Sequence, residues 1–229
     1  MHSDRNNNDH SPIYTELAGK SNLLVSFGGI RQGLGIPVFE FFNSLNKLDC
    51  DKVFIRDFNQ AWYHKGVSEE LNSIGAIKDY LQELLHEGNY KRVCFIGNSM
   101  GGYAAILFGN LLKVDAVIAF APQTFIGRLK RFYYWDFRWA NEMKALHTSD
   151  QAETDYFDLK DILRKGIGTH TQIQIYYSKK HRLDKNHAER LKDSHDNLVL
   201  IGMSEGDHEV VKALRDNGQL MQIITEAFQ

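Results

Sequence analysis

Five consecutive residues, Gly97-Asn98-Ser99-Met100-Gly101, carry the clearest chemical signal in this chain. A serine flanked at two residues' distance by glycines is the pattern of a nucleophile held on a tight turn. The string alone is common, and its setting gives it weight. Arg92 to Ile96 reads as a strand running directly into it, and a helix to about Leu112 runs directly out. So sharp a strand-to-helix turn strains the serine backbone and lifts the hydroxyl above the sheet. Residues two before and two after must then be small, as Gly97 and Gly101 are. Ala104 and Ala105 extend the small face, and the helix N-terminus aims free N–H groups at the site.

A second glycine-rich stretch, Gly28-Gly29-Ile30-Arg31-Gln32-Gly33-Leu34-Gly35, invites a phosphate-binding reading. It lacks both the Lys-Ser/Thr ending of a P-loop and the G-x-G-x-x-G spacing. Nucleotide binding is therefore not the expected chemistry.

Such a nucleophile needs a scaffold, and the rest of the chain supplies a regular one. Short apolar runs occur at Leu23 to Phe27, Val53 to Ile55, Arg92 to Ile96, Ala116 to Phe120, Ile173 to Tyr177 and Leu198 to Ile201. Helical spacing separates them: Pro37 to Leu48 carries one apolar face, and Leu71, Ile74, Ile77, Leu81 and Leu84 form a second stripe with Ser68 as its expected N-cap. Strands alternating with helices predict an α/β fold, a mostly parallel central sheet of about six strands with helices on both faces. Residues 1–20 read as a polar N-terminal segment and 21–229 as one domain. Between about residues 123 and 168 no strand is expected. That stretch, rich in basic and aromatic side chains from Arg128 to Trp139, reads as a helical lid insertion over the C-terminal edge of the sheet.

Composition narrows the function classes. The 229 residues are 43% hydrophobic and 24% charged, with a formal net charge of −2, so no global field recruits nucleic acid. Cys50 and Cys94 lie outside any C-x-x-C spacing and imply neither a metal nor a redox pair. The first ten residues lack the apolar core of a secretion signal, and no apolar run approaches the roughly 20 residues of a membrane span. A cytoplasmic location without membrane span is the expectation.

Around the elbow, Gly-Asn-Ser-Met-Gly-Gly-Tyr resembles bacterial esterases and acyl hydrolases of the α/β-hydrolase superfamily, over roughly residues 20 to 229. The resemblance implies a minimal version of that fold, since only about twenty residues precede Asn22. It also implies an acid and a histidine following the serine in that order. The base would come from the loop after the last strand, where Gly206-Asp207-His208 offers His208. The acid would follow the preceding strand, where Asp184 is the first carboxylate; Asp207 is the weaker alternative. An oxyanion hole would combine the Met100 N–H with one from Phe27-Gly28-Gly29-Ile30, with Gly29 favoured slightly over Ile30. Relatives often carry His-Gly at that point, and this chain has Phe27 instead.

The expected reaction is cleavage of an ester, thioester or amide through an acyl-enzyme on Ser99, with no metal and no cofactor. An acyltransferase with an alcohol or sugar acceptor, and a non-catalytic binding module, are the alternatives. Trp62 and His64, in a loop at the functional edge, and Arg128 and Arg131, in the insertion, are candidate substrate contacts. Their chemistry suits an acylated small molecule, anionic or sugar-containing. The oligomeric state is not legible.

Overall fold

The computed structural model describes residues 11–30, 39–204 and 209–229. All six apolar runs form strands, and a seventh precedes them: β1 (Ile13–Glu16), β2 (Asn22–Phe27), β3 (Asp51–Ile55), β4 (Arg92–Asn98), β5 (Ala116–Phe120), β6 (Gln172–Ser178) and β7 (Leu198–Met203). They make one sheet in the order β1-β3-β2-β4-β5-β6-β7. β1 pairs antiparallel with β3 at one edge, and every other pairing is parallel.

Strand residues alternate faces, and the core divides accordingly. Leu23, Val25, Phe95, Val117 and Ile175 point into one apolar layer. Leu24, Phe54, Cys94, Ile96 and Ile118 point into the other. Burial on both faces is why these strands read as continuous apolar runs rather than alternating ones. The first layer packs against α2 (Ile74–Gly88), α3 (Met100–Leu112) and α6 (Leu159–Arg164). The second packs against α1 (Phe42–Leu45), α8 (Val210–Asp216) and α9 (Gln219–Glu226). Cys50 and Cys94 are both buried free thiols.

Two helix boundaries differ from the sequence reading. The expected helix from Pro37 to Leu48 is only the single turn α1, entered through Phe41 at φ 62°; Pro37 and Val38 lie outside the described residues. The next helix begins at Ile74, not after Ser68. Ser73 caps it, its Oγ accepting the Ala76 N–H at 3.1 Å. Ser68 instead closes a local turn by accepting the Leu71 N–H, also at 3.1 Å. Two serines five residues apart offer the same capping chemistry, and the tertiary position of Ile74 decides between them.

The stretch between β5 and β6 holds α4 (Arg128–Tyr133), α5 (Ala140–His147), a 3₁₀ turn (Thr154–Tyr156) and α6. A single isolated bridge, Phe125 to Asp158, is the β-structure described there. α7 (Arg182–Glu189) connects β6 to β7. Among the described residues no helix is long and apolar enough to cross a membrane.

Candidate active site

Ser99 sits between β4 and α3 at φ 54°, ψ −115°, a conformation that costs a non-glycine residue free energy. Its neighbours hold it there. The Ser99 N–H donates to Phe120 O at 2.9 Å, and the Ser99 carbonyl accepts from Tyr103 N at 3.1 Å and Gln123 N at 3.3 Å. The flanking glycines are a steric requirement: a Cβ on Gly97 would lie 2.1 Å from Gly101 O, and one on Gly101 would lie 2.1 Å from Phe27 O. The strain delivers a hydroxyl whose Oγ is buried and has no hydrogen-bond partner among the described residues. A buried unpartnered hydroxyl is a cost that a structural serine would avoid. The N–H of Met100 opens α3 and has no intrahelical acceptor.

The loop after β2 closes against this elbow. Gly28 N donates to Ile55 O at 2.8 Å, and the Tyr63 hydroxyl donates to Gly28 O at 2.8 Å. A Cβ on Gly29 would lie 2.9 Å from Asn98 O and 3.0 Å from Glu40 Oε1. Burial pushes the Glu40 carboxyl up to about 7, although N–H donors of Gly29 and Asn98 favour its ionised form. No motif announces this carboxyl beside the loop, because Glu40 falls on the polar side of an apparent helix.

Asp184 lies in the first turn of α7, just past the end of β6, with its side chain 1% exposed. Its Oδ1 is 2.9 Å from His181 Nδ1 and accepts from Arg138 Nη1 at 3.2 Å. Arg138 also grips Asp136, through Nε to Oδ1 at 3.0 Å and Nη2 to Oδ2 at 2.8 Å. Asp136 Oδ2 in turn accepts from His187 Nε2 at 2.9 Å. Burial works against the Asp136 charge, but His187 and Arg138 outweigh it and hold the carboxyl far below the usual range. Burial keeps His187 neutral, lowering it to about 4 despite Asp136. Asp136 and His187 stand 51 residues apart in sequence, so no local pattern announces their pairing. The expected base, His208, and the alternative acid, Asp207, lie outside the described residues.

The four candidate substrate contacts separate into two pairs. Trp62 and His64 are fully buried. Trp62 Nε1 donates to Gln123 Oε1 at 2.8 Å, bracing the residue whose N–H holds the Ser99 carbonyl. His64 Nδ1 accepts from Glu153 N at 3.2 Å, so Nε2 carries the proton toward the Tyr103 hydroxyl at 3.0 Å. Burial, with His147 adding to it, lowers His64 to about 3. Arg128 and Arg131 instead share a groove of about 500 Å³ with Phe132, Phe137 and Met143. Arg131 is itself mostly buried, its guanidinium donating to Arg138 O. Among the described residues no group of three or more His, Cys, Asp or Glu could hold a metal ion.

A mostly parallel sheet, helices on both faces and a strained serine between β4 and α3 define the α/β-hydrolase fold. Solved structures bear this out at low sequence identity. The capsule O-acetyltransferase of Neisseria meningitidis serogroup A matches over 92% of this chain and 90% of its own, with TM-score 0.69 and 16% identity. The fluorophosphonate-binding serine hydrolase FphF of Staphylococcus aureus matches over 94% of this chain and 86% of its own, at TM-score 0.61 and 14% identity. A chain of the glycosylation-associated Gap123 complex of Streptococcus agalactiae matches 92% of this chain but only 43% of its own length, at TM-score 0.67 and 23% identity. No family model and no curated protein sequence matches the chain.

Proposed function

We propose that this chain is a serine acyl-transfer enzyme that cleaves an ester through an acyl-enzyme on Ser99. The observation that carries the reading is the strained and buried Ser99 hydroxyl at the N-terminus of α3, which has no hydrogen-bond partner among the described residues. His208 takes the proton as Ser99 Oγ attacks the carbonyl carbon. The carbonyl π electrons move to oxygen, and that oxyanion is held by the N–H groups of Met100 and Ile30. Ile30 replaces Gly29 as the favoured second donor, because the Gly29 N–H serves the Glu40 carboxyl. The intermediate collapses, the alkoxide leaves with the proton from His208, and the acyl group stays on Ser99. Water, deprotonated by the same His208, then releases the acid. Asp184 fixes the imidazole and steadies its charge; its burial in the first turn of α7, directly after β6, supports that role.

A fluorophosphonate probe tests this directly. Wild type takes the label and Ser99→Ala does not, and only the former turns over a panel of acyl esters. A folded wild type that refuses the probe removes the enzymatic reading and leaves a binding module on the same scaffold. Normal turnover in His208→Ala names the wrong base.

A second reading, transfer of the acyl group to a hydroxyl instead of water, has its own support. The O-acetyltransferase similarity reaches TM-score 0.69, above the 0.61 of the serine hydrolase FphF. Leu129, Phe132, Tyr133, Trp135 and Phe137 are also exposed on the insertion, a surface on which a sugar acceptor can stack. Arg128 in the adjoining groove suits an anionic one. Product analysis with and without added alcohol or saccharide separates the two readings. If KM for an anionic substrate is unmoved by salt, electrostatic recognition is ruled out.

A further inference from the structure

Arg138 is the point at which the insertion meets the candidate acid. Its side chain is fixed by the residue two before it. Asp136 accepts the Arg138 backbone N–H at 3.1 Å and also holds the guanidinium at Nε and Nη2. A planar fork gripped on one edge has little rotational freedom left, and here the remaining Nη1 is aimed at Asp184 Oδ1. The partners on the other side come from one face of α7, since Asp184 and His187 are three residues apart. His187 Nδ1 accepts the Thr124 N–H at 2.9 Å, so its proton sits on Nε2 and points at Asp136. A second arginine reinforces the joint: Arg182 donates to the carbonyls of Tyr134 at 2.9 Å and Trp135 at 3.4 Å.

We propose that Arg138 is a positioning residue for the acyl-transfer reaction, tying the acid Asp184 to the helical insertion through a guanidinium shared with Asp136. The proposal rests on the assignment of Asp184 as the acid. Asp184 Oδ1 also lies 2.9 Å from His181 Nδ1. Asp136 and Asp184 divide one guanidinium between them, so Arg138 does not neutralise Asp184 by itself. That suits an acid whose task is to stabilise an imidazolium: a guanidinium devoted wholly to Asp184 would cancel the charge the imidazolium needs. The tie is also rigid where the acid must not move. A small displacement of a triad member costs rate far more than it costs binding.

The test is a double-mutant cycle on kcat in the full chain, read well below each variant's unfolding temperature. Arg138→Gln lowers kcat roughly 10- to 100-fold with KM nearly unchanged, the usual scale for a supporting residue. Added to Asp184→Asn it causes no further loss, because it acts only through that carboxylate. Should Arg138→Gln fail to fold, the pair Asp136→Asn/Arg138→Gln removes one charge of each sign and takes its place in the cycle. Additive losses, or a lowered unfolding temperature with kcat per folded molecule intact, overturn the proposal and leave Arg138 a scaffold residue. Two other results take it down by a different route and are read separately: a wild type that refuses the fluorophosphonate probe, and full activity in Asp184→Asn.

Discussion

The Glu40 carboxylate stands directly against Gly29: a side chain on Gly29 would begin 3.0 Å from Glu40 Oε1. The other carboxyl oxygen, Oε2, is buried and has no hydrogen-bond partner among the described residues. A carboxyl so placed favours its neutral form, and its folded-state value of about 7 exceeds the ordinary 4.5. The consequence for stability has a definite sign. The folded state holds the proton more tightly than the unfolded chain, so the contribution is complete below pH 4.5 and is lost as pH rises through 7. The loss amounts to at most about 3 kcal/mol. Glu40→Gln, which imitates the neutral carboxyl, should gain on wild type from about pH 4.5 to about pH 7 in denaturant unfolding and level off above that. Asp57, raised by burial to about 6, tilts wild type the same way. The comparison between the two proteins isolates Glu40, and parallel curves would refute the assignment.

The acid side of the profile belongs to histidines. His64 and His187 are lowered from 6.5 to about 3 and about 4, in each case chiefly by burial. Both are therefore neutral in the folded protein where the unfolded chain is already charging. Their stabilisation is complete above pH 6.5 and drains away as pH falls toward 3 to 4. His64→Gln should flatten this limb while lowering stability at pH 7, where the Tyr103 and Glu153 contacts are weakened. A variant that keeps the full wild-type acid sensitivity shows that His64 is not one of its sources.

How much of this was legible beforehand depended on distance along the chain. The strand-turn-helix around Ser99 is legible because its logic is local: strand, glycines and helix all lie within residues 92–112. Five of the six strands were legible because burial on both faces writes continuous apolar runs; the sixth, β7, is an apolar run at the sheet edge that is only partly buried. The edge strand β1 was not, since Ile13–Glu16 is short and only half-buried. Asp136 with His187 was invisible because the pairing spans 51 residues and neither partner carries a motif; Gly29 is marked by its glycine-rich loop, but no pattern ties Glu40 to it. Trp62 and His64 are expected in a functional-edge loop, but that loop folds inward, because aromatic and imidazole side chains serve a core as readily as a pocket.

The elbow glycines permit a sharp comparison. Gly97→Ala and Gly101→Ala each drive a Cβ into backbone at 2.1 Å, where no side-chain rotation relieves the clash. Either should destabilise the protein by more than about 3 kcal/mol or prevent folding. Gly75, in the first turn of α2, meets nothing closer than Ser73 Oγ at 3.7 Å. Gly75→Ala should instead stabilise by a few tenths to about 1 kcal/mol, since alanine loses less backbone entropy. Chemical denaturation of the three variants ranks them, and a tolerated Gly101→Ala contradicts the close approach of α3 to β2.

Ser99 itself stores the cost of its own placement. At φ 54°, ψ −115° any residue with a Cβ is strained, whereas glycine is not. Ser99→Ala removes the buried hydroxyl but keeps the strain. Ser99→Gly removes both, at the price of greater freedom in the unfolded chain. If backbone strain dominates, the glycine variant is the more stable of the two by about 1 kcal/mol, inverting the usual order of alanine over glycine. Both variants lose probe labelling and turnover, so the comparison separates what the turn costs from what the hydroxyl does. Stability gained by deleting the nucleophile is the signature of a residue kept for chemistry and not for the fold. A wild type more stable than both variants would show that the hydroxyl is held for structure after all.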